Sequence, residues 1–232
     1  MACRNAFGKM KGELMKLTAF QYGKTYIQES LALSGGNKDI SLPISLLFFL
    51  IEEGDEKMLV DVGCDTMPGF FLEEHISPVI LLEQHGVKRE EITSVFLTHA
   101  HHDHAECAHY YKNAAVFIHK DALPYAAGFL KENSKISTFE SEISPIKGVK
   151  IIPVCGHAQG SSIMAVNSPT GEFILCGDEC YVKESFEYQR LSGGVLDKEK
   201  MMDFLKKYKD HKGKILFHDK DVVGYVGCKT IF

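Results

Sequence analysis

The stretch "SVFLTHAHHDHAECAHYY", residues 94–111, decides the reading of this chain. A short run from Ser94 to Thr98 gives way to four histidines and one aspartate within the six positions 99–104. After an extended strand, side chains alternate with a period of two, so His99 and His101 fall on one side and can bind one ion as a pair. Asp103 and His104 lie just beyond, where the chain turns into a helix over "HAECAHYY" (104–111), and can reach a second ion. His102 is out of phase with its neighbours and reads as a non-ligand. Histidine clusters also occur in tags, pH-sensitive surfaces and structural zinc sites, and each of these makes a different demand on the rest of the chain.

Three later segments answer that demand. "VKIIPVCG" runs into His157, "EFILCG" into Asp178 and "KILF" into His218, as "SVFLT" runs into His99. Strand ends at the edge of a packed sheet are rigid positions from which side chains can converge. A tag needs no such partners. A closed structural zinc site usually draws on cysteine, yet none of the seven cysteines occupies one of these ligand positions, which favours an open, catalytic N/O-ligand centre.

The surroundings read as mixed α/β. Strands are expected at 16–27, 44–53, 56–63, 94–98, 115–119, 149–155, 162–167, 172–176 and 214–219. The second and third are joined by "GD" as a hairpin. Ser77, Pro78 and Gly86 mark the start and stop of one helix, Asp197 and Gly213 those of another. At 232 residues, with 45% hydrophobic and 25% charged residues, the chain is an ordinary globular one. Residues 1–14 read as an extension ahead of a single domain at 15–232. A net charge of −5 without a long basic run argues against nucleic acid as the main partner. The longest apolar run, "LPISLLFFLI" (42–51), is about half of what a membrane-spanning helix needs. An odd number of scattered cysteines and an N-terminus without an apolar core suggest a reduced, cytoplasmic protein.

Taken together, "THAHHDH", Gly156-His157, Gly177-Asp178 and His218 resemble the metallo-β-lactamase superfamily, and "LVDVG" (59–63) resembles its first motif. The resemblance implies a four-layer αββα sandwich with two divalent metal ions at one edge between the sheets, zinc first and iron or manganese as alternatives. It places His99, His101 and His157 on the first ion, Asp103, His104 and His218 on the second, and Asp178 between the two, with Asp61 supporting them from behind. Two such ions, the two carboxylates and a bridging hydroxide leave a core of about +1, suited to an anionic tetrahedral transition state. Metal lowers the pKa of bound water from ~16 toward ~7, giving a hydroxide nucleophile. Asp103 is placed to protonate the departing alkoxide. The expected reaction is hydrolysis of a small-molecule ester, lactone, thioester or phosphoester.

Within the superfamily, "DECYVKESF" (178–186) and "KILFHDKD" (214–221) resemble N-acyl homoserine lactonases, in which the residue at Tyr181 contacts the substrate carbonyl. The rival for Tyr181 is a packed aromatic with a satisfied hydroxyl. The segment "GHAQGSS" (156–162) departs from the pattern in lacking a second histidine. Asp178 disfavours β-lactam hydrolysers, the short stretch after it a glyoxalase, and His101 a flavodiiron oxygen reductase. A mono-iron sulfur dioxygenase is the alternative on the same fold, and a non-catalytic metal-binding protein a third reading. Phe186, Tyr188, Leu191, Tyr125 and Phe129 are candidates for an acyl pocket, against a reading of ordinary packing.

Overall fold

Strand β2 (Ser41–Glu53) shows how the layers arise. Leu47, Phe49 and Ile51 enter one apolar core while Leu46, Phe48 and Leu50 enter another, so the strand is buried on both faces and reads as a continuous apolar run. The computed structural model describes residues 15–211, 214–218 and 220–232. The segment 1–14 expected to be an extension, and Gly213 expected to stop a helix, lie outside the described residues.

Strands β1 (Lys16–Gln28), β2, β3 (Glu56–Val60), β4 (Ser94–Phe96), β5 (Ala115–His119), β6 (Lys135–Phe139) and β11 (Gly227–Thr230) form one sheet in the order β11-β1-β2-β3-β4-β5-β6. Pairing is antiparallel from β11 to β3 and parallel from β3 to β6. Strands β7 (Val149–Pro153), β8 (Ser162–Ser168), β9 (Gly171–Leu175) and β10 (Ile215–Leu216) form the second sheet in the order β10-β9-β8-β7. The helices are α1 (Glu29–Ala32), α2 (Pro78–Gln84), α3 (His102–Ala105), α4 (Leu123–Ala126), α5 (Glu184–Glu187) and α6 (Lys198–Tyr208).

Three cores stack between these layers. Leu17, Phe49 and Phe96 of the large sheet meet Ile151, Met164 and Leu175 of the small one. Phe48, Leu59 and Val95 on the opposite face pack with Val79 and Leu82 of α2. Ile163, Ala165 and Ile174 back the small sheet onto Met201, Phe204 and Leu205 of α6. The order helices–sheet–sheet–helix is the expected αββα sandwich.

Several boundaries move for local reasons. The hairpin forms with Glu53 opposite Glu56 and Gly54 at φ +61°, as "GD" predicts. The strand expected over 56–63 stops at Val60 because Asp61 adopts φ +57°, outside the extended region. Strand β4 ends at Phe96, so His99 and His101 converge from a loop and not by strand alternation. The helix expected from 104 is the single turn α3 followed by a 3-10 turn over Glu106–Tyr110. Ser77 stands at the N-cap of α2 without a side-chain cap bond, whereas Asp197 accepts from the Glu199 and Lys200 amides and caps α6. Strands β6 and β11 were not expected. The first four residues of β6 are exposed and carry no alternating pattern.

Candidate metal centre

Parallel pairing of β3 with β4 and of β9 with β10 sends the ends of β4, β9 and β10 in directions fixed by the ladder. His99 follows β4, His157 follows β7, Asp178 sits in a 3-10 turn after β9, and His218 follows β10. The chain thereby gathers two groups of ligand atoms, each group within 4.8 Å: His99, His101, His157 and Asp178 in one, His104, Asp178 and His218 in the other. Asp178 belongs to both. Its Oδ2 lies 3.6 Å from His99 Nε2 and 3.5 Å from His157 Nε2, while its Oδ1 lies 3.1 Å from His104 Nε2 and 3.4 Å from His218 Nε2. Asp103 Oδ2 approaches His104 Nε2 at 3.4 Å. Six of the seven ligands expected from the sequence fall in these groups; Asp103 lies beside the second through His104 without belonging to it, and His102, whose ring packs edge-on to Phe129, falls in neither.

The groups behind the rings fix which nitrogens face inward. An ionised carboxylate only accepts, so His104 Nδ1–H donates to Asp61 Oδ2 at 2.7 Å. The Thr98 hydroxyl donates to the same carboxylate, which leaves its oxygen to accept from His99 Nδ1–H at 3.0 Å. His218 Nδ1–H donates to the Ser45 carbonyl at 3.2 Å. His99, His104 and His218 therefore all turn Nε2 toward Asp178. His99 Nε2 is buried and has no hydrogen-bond partner. An orphaned buried acceptor beside a buried carboxylate is costly alone and fits a cation. The residues suit two divalent ions sharing Asp178.

Burial opposes charge on His104, yet Asp178, Asp103 and Asp61 hold its pKa well above the ordinary imidazole range. Burial depresses His99, and it lowers His157 to about 4. Burial works against the Asp178 charge, but the surrounding histidines hold that carboxyl well below the usual range. A site that concentrates ring lone pairs and carboxylate charge in this way is prepared for positive charge. The backbone is strained at two of its supports, with Asp61 at φ +57° and Cys155 at φ +58°.

Tyr181 stands at the wall, its hydroxyl donating to Asp178 Oδ2 at 3.1 Å. Burial pushes its pKa well above that of a free phenol, so it remains a donor at neutral pH. The cavity of about 380 Å³ beside the cluster is lined by Tyr181, His101, Asp103, His157, Asp178 and His218, together with apolar residues including Ile27, Leu31, Ile44, Leu46, Met67 and Phe70. Cavities of about 550 and 700 Å³ elsewhere contain no member of the cluster, so size does not select the site. The five residues expected for an acyl pocket lie elsewhere. Phe186 and Leu191 belong to the core under α6, Phe129 packs on His102, and Tyr188 and Tyr125 are 68% and 61% exposed. The apolar lining of this cavity comes from β1, α1, β2 and the loop "MPGFF" (67–71), where a Pro-Gly turn followed by two phenylalanines is the sequence signal.

Known proteins resemble this chain. An N-acyl homoserine lactonase of Bacillus cereus is 28% identical over 225 residues, covering 85% of this chain and 88% of the relative. One from Agrobacterium fabrum is 23% identical over 228 residues, covering 78% and 81%. Among solved structures, an N-acyl homoserine lactone hydrolase with N-hexanoyl-L-homoserine at its catalytic metal centre superposes with a TM-score of 0.77 at 20% identity, covering 88% of this chain and 92% of that one. A dizinc quorum-quenching lactonase gives 0.68 at 17% identity, covering 87% and 84%. At these identities the superpositions speak to the fold. The domain model of the metallo-beta-lactamase superfamily matches residues 47–189, more than half of the chain and the part that carries four of the five candidate ligand histidines and both aspartates. The chain belongs to the metallo-beta-lactamase superfamily.

Proposed function

We propose that this protein is a metal-dependent hydrolase that opens the ring of a lactone carrying an apolar acyl chain, an N-acyl homoserine lactone being the leading substrate. The observation that carries the reading is Asp178, one oxygen facing each ligand group, lining a cavity that apolar side chains also line. His99, His101 and His157 would hold one ion, Asp103, His104 and His218 the other, with Asp178 shared. Two divalent ions there supply Lewis acidity and a hydroxide nucleophile at neutral pH. Zinc suits this imidazole and carboxylate set, and the dizinc neighbour supports it.

The protein's own groups divide the remaining work. Rotation of the Tyr181 hydroxyl away from Asp178 lets it donate to a substrate oxygen that gains charge. The Asp103 carboxylate, facing the cavity, carries a proton to the departing alkoxide. Ile27, Leu31, Met67 and Phe70 shield the acyl chain from water. A single domain over 15–232 and a cytoplasmic location accompany this reading, the latter supported by six free cysteines among the described residues. No helix of the described residues is long and apolar enough to cross a membrane.

The test is metal analysis together with ring opening of N-hexanoyl homoserine lactone. Two divalent ions per chain and lactone turnover are expected. Turnover of simple esters or phosphoesters without lactone opening would reject the substrate class. One iron per chain with oxygen consumption on a persulfide would reject the hydrolase.

A further inference from the structure

Glu179 follows the shared ligand Asp178 and is only 1% exposed, yet among the described residues its carboxylate forms no ion pair. Its bonds go to one loop. Oε2 accepts from the His157 amide at 3.0 Å, and Oε1 accepts from the Gly156 amide at 3.3 Å and from the Ser161 hydroxyl. Ser161 Oγ in turn accepts from the Ala158 amide at 3.1 Å, and the Ser161 carbonyl accepts from the Val154 and Cys155 amides. The contact is close: a Cβ on Gly156 would come within 2.7 Å of Glu179 Oε2. Cys155 enters this loop at φ +58°, a conformation that a β-carbon-bearing residue holds only when its surroundings impose it.

Resting on the metal-centre reading above, we infer that Glu179 is a positioning residue for the first ion. It clamps the backbone of His157 to the turn that carries Asp178. His157 Nε2 and Asp178 Oδ2, 3.5 Å apart, are both ligands of that ion, and they come from separate loops. The clamp is the hydrogen-bonded link between the two backbones at this point. The second ion shares Asp178 but otherwise draws on His104 and His218, whose supports are Asp61 and Ser45, so the clamp bears on it only through Asp178. A carboxylate is the right group because the loop offers three donors and no acceptor to it. An amide would turn one of its own N–H groups against them.

The experiment uses the zinc-loaded protein and measures release of each ion to a competing chelator, with thermal unfolding of the chelated form in parallel. Glu179→Gln is expected to release one ion about 10- to 100-fold more readily, as for other groups that orient metal ligands, and to weaken the other, which meets the clamp only through Asp178, by clearly less. Ser161→Ala, which removes only the hydroxyl, should weaken the same ion by less. Lowered stability of the chelated form with wild-type release of both ions would mean a merely structural role and overturn the inference. Equal weakening of both ions would overturn it as well. A wild-type protein that binds no pair of ions would refute the metal-centre reading itself, whereas one that binds two and is indifferent to Glu179→Gln refutes only the clamp.

Discussion

Replacing Asp61 with asparagine removes one charge from behind the ligands and leaves every ligand side chain itself unchanged. Asparagine tolerates the left-handed φ of +57°, so the backbone stays in place. Its amide oxygen at the Oδ1 position keeps the bond from the Thr98 amide, 2.8 Å in the native protein, and still accepts from the Thr98 hydroxyl, 3.0 Å away. His99, held through that hydroxyl, is therefore spared. At the Oδ2 position an N–H now faces His104 Nδ1–H across a former 2.7 Å bond. To escape, the imidazole must move its proton to Nε2, the nitrogen that faces Asp178. A lost hydrogen bond to a charged group costs about 1.5–3 kcal/mol. Loss of a group that orients a metal ligand costs about 10- to 100-fold in affinity, or about 1.4–2.7 kcal/mol. The two routes agree. Chelator competition on the zinc-loaded variant should show the His104 ion weakened on that scale and the His99 ion unchanged. Wild-type affinity for both ions, or weakening confined to the His99 ion, would refute the reasoning.

Other perturbations separate the remaining roles. Asp178→Asn keeps the shape and removes the charge that four imidazoles surround, so metal content should fall below two and turnover collapse while the chelated form stays folded; full metal content with wild-type turnover would remove the dinuclear assignment. Tyr181→Phe should lower kcat roughly 10- to 1,000-fold, at or below the loss of one oxyanion donor, with KM little changed. If Tyr181 is only packed, kcat will hold and stability will drop by about 1 kcal/mol. Asp197→Ala deletes the side-chain cap of α6 and should lower stability by about 1 kcal/mol, read as a lower urea midpoint at constant slope. An unchanged midpoint would show that the cap contributes nothing.

The ligands were legible because each follows an apolar run that must be buried, and burial fixes where a strand ends. "SVFLT", "VKIIPVCG", "EFILCG" and "KILF" declared both the sheets and their shared edge, and the two-faced burial of β2 was visible as an unbroken apolar run. What the order of residues could not carry was pairing and approach across distance. Strand β11 exists because Thr230 finds Thr18. The cavity wall joins Ile27, Leu31, Met67 and Phe70 from separate segments, and nothing in their residue types distinguishes them from core. Glu179 reads in sequence as one more acidic residue after Asp178, and only the fold brings the Gly156 and His157 amides and the Ser161 hydroxyl to it. Periodicity and strand ends are local properties of a chain. Which distant donor meets which buried acceptor depends on how the sheets pack, and that is decided only when the whole chain has folded.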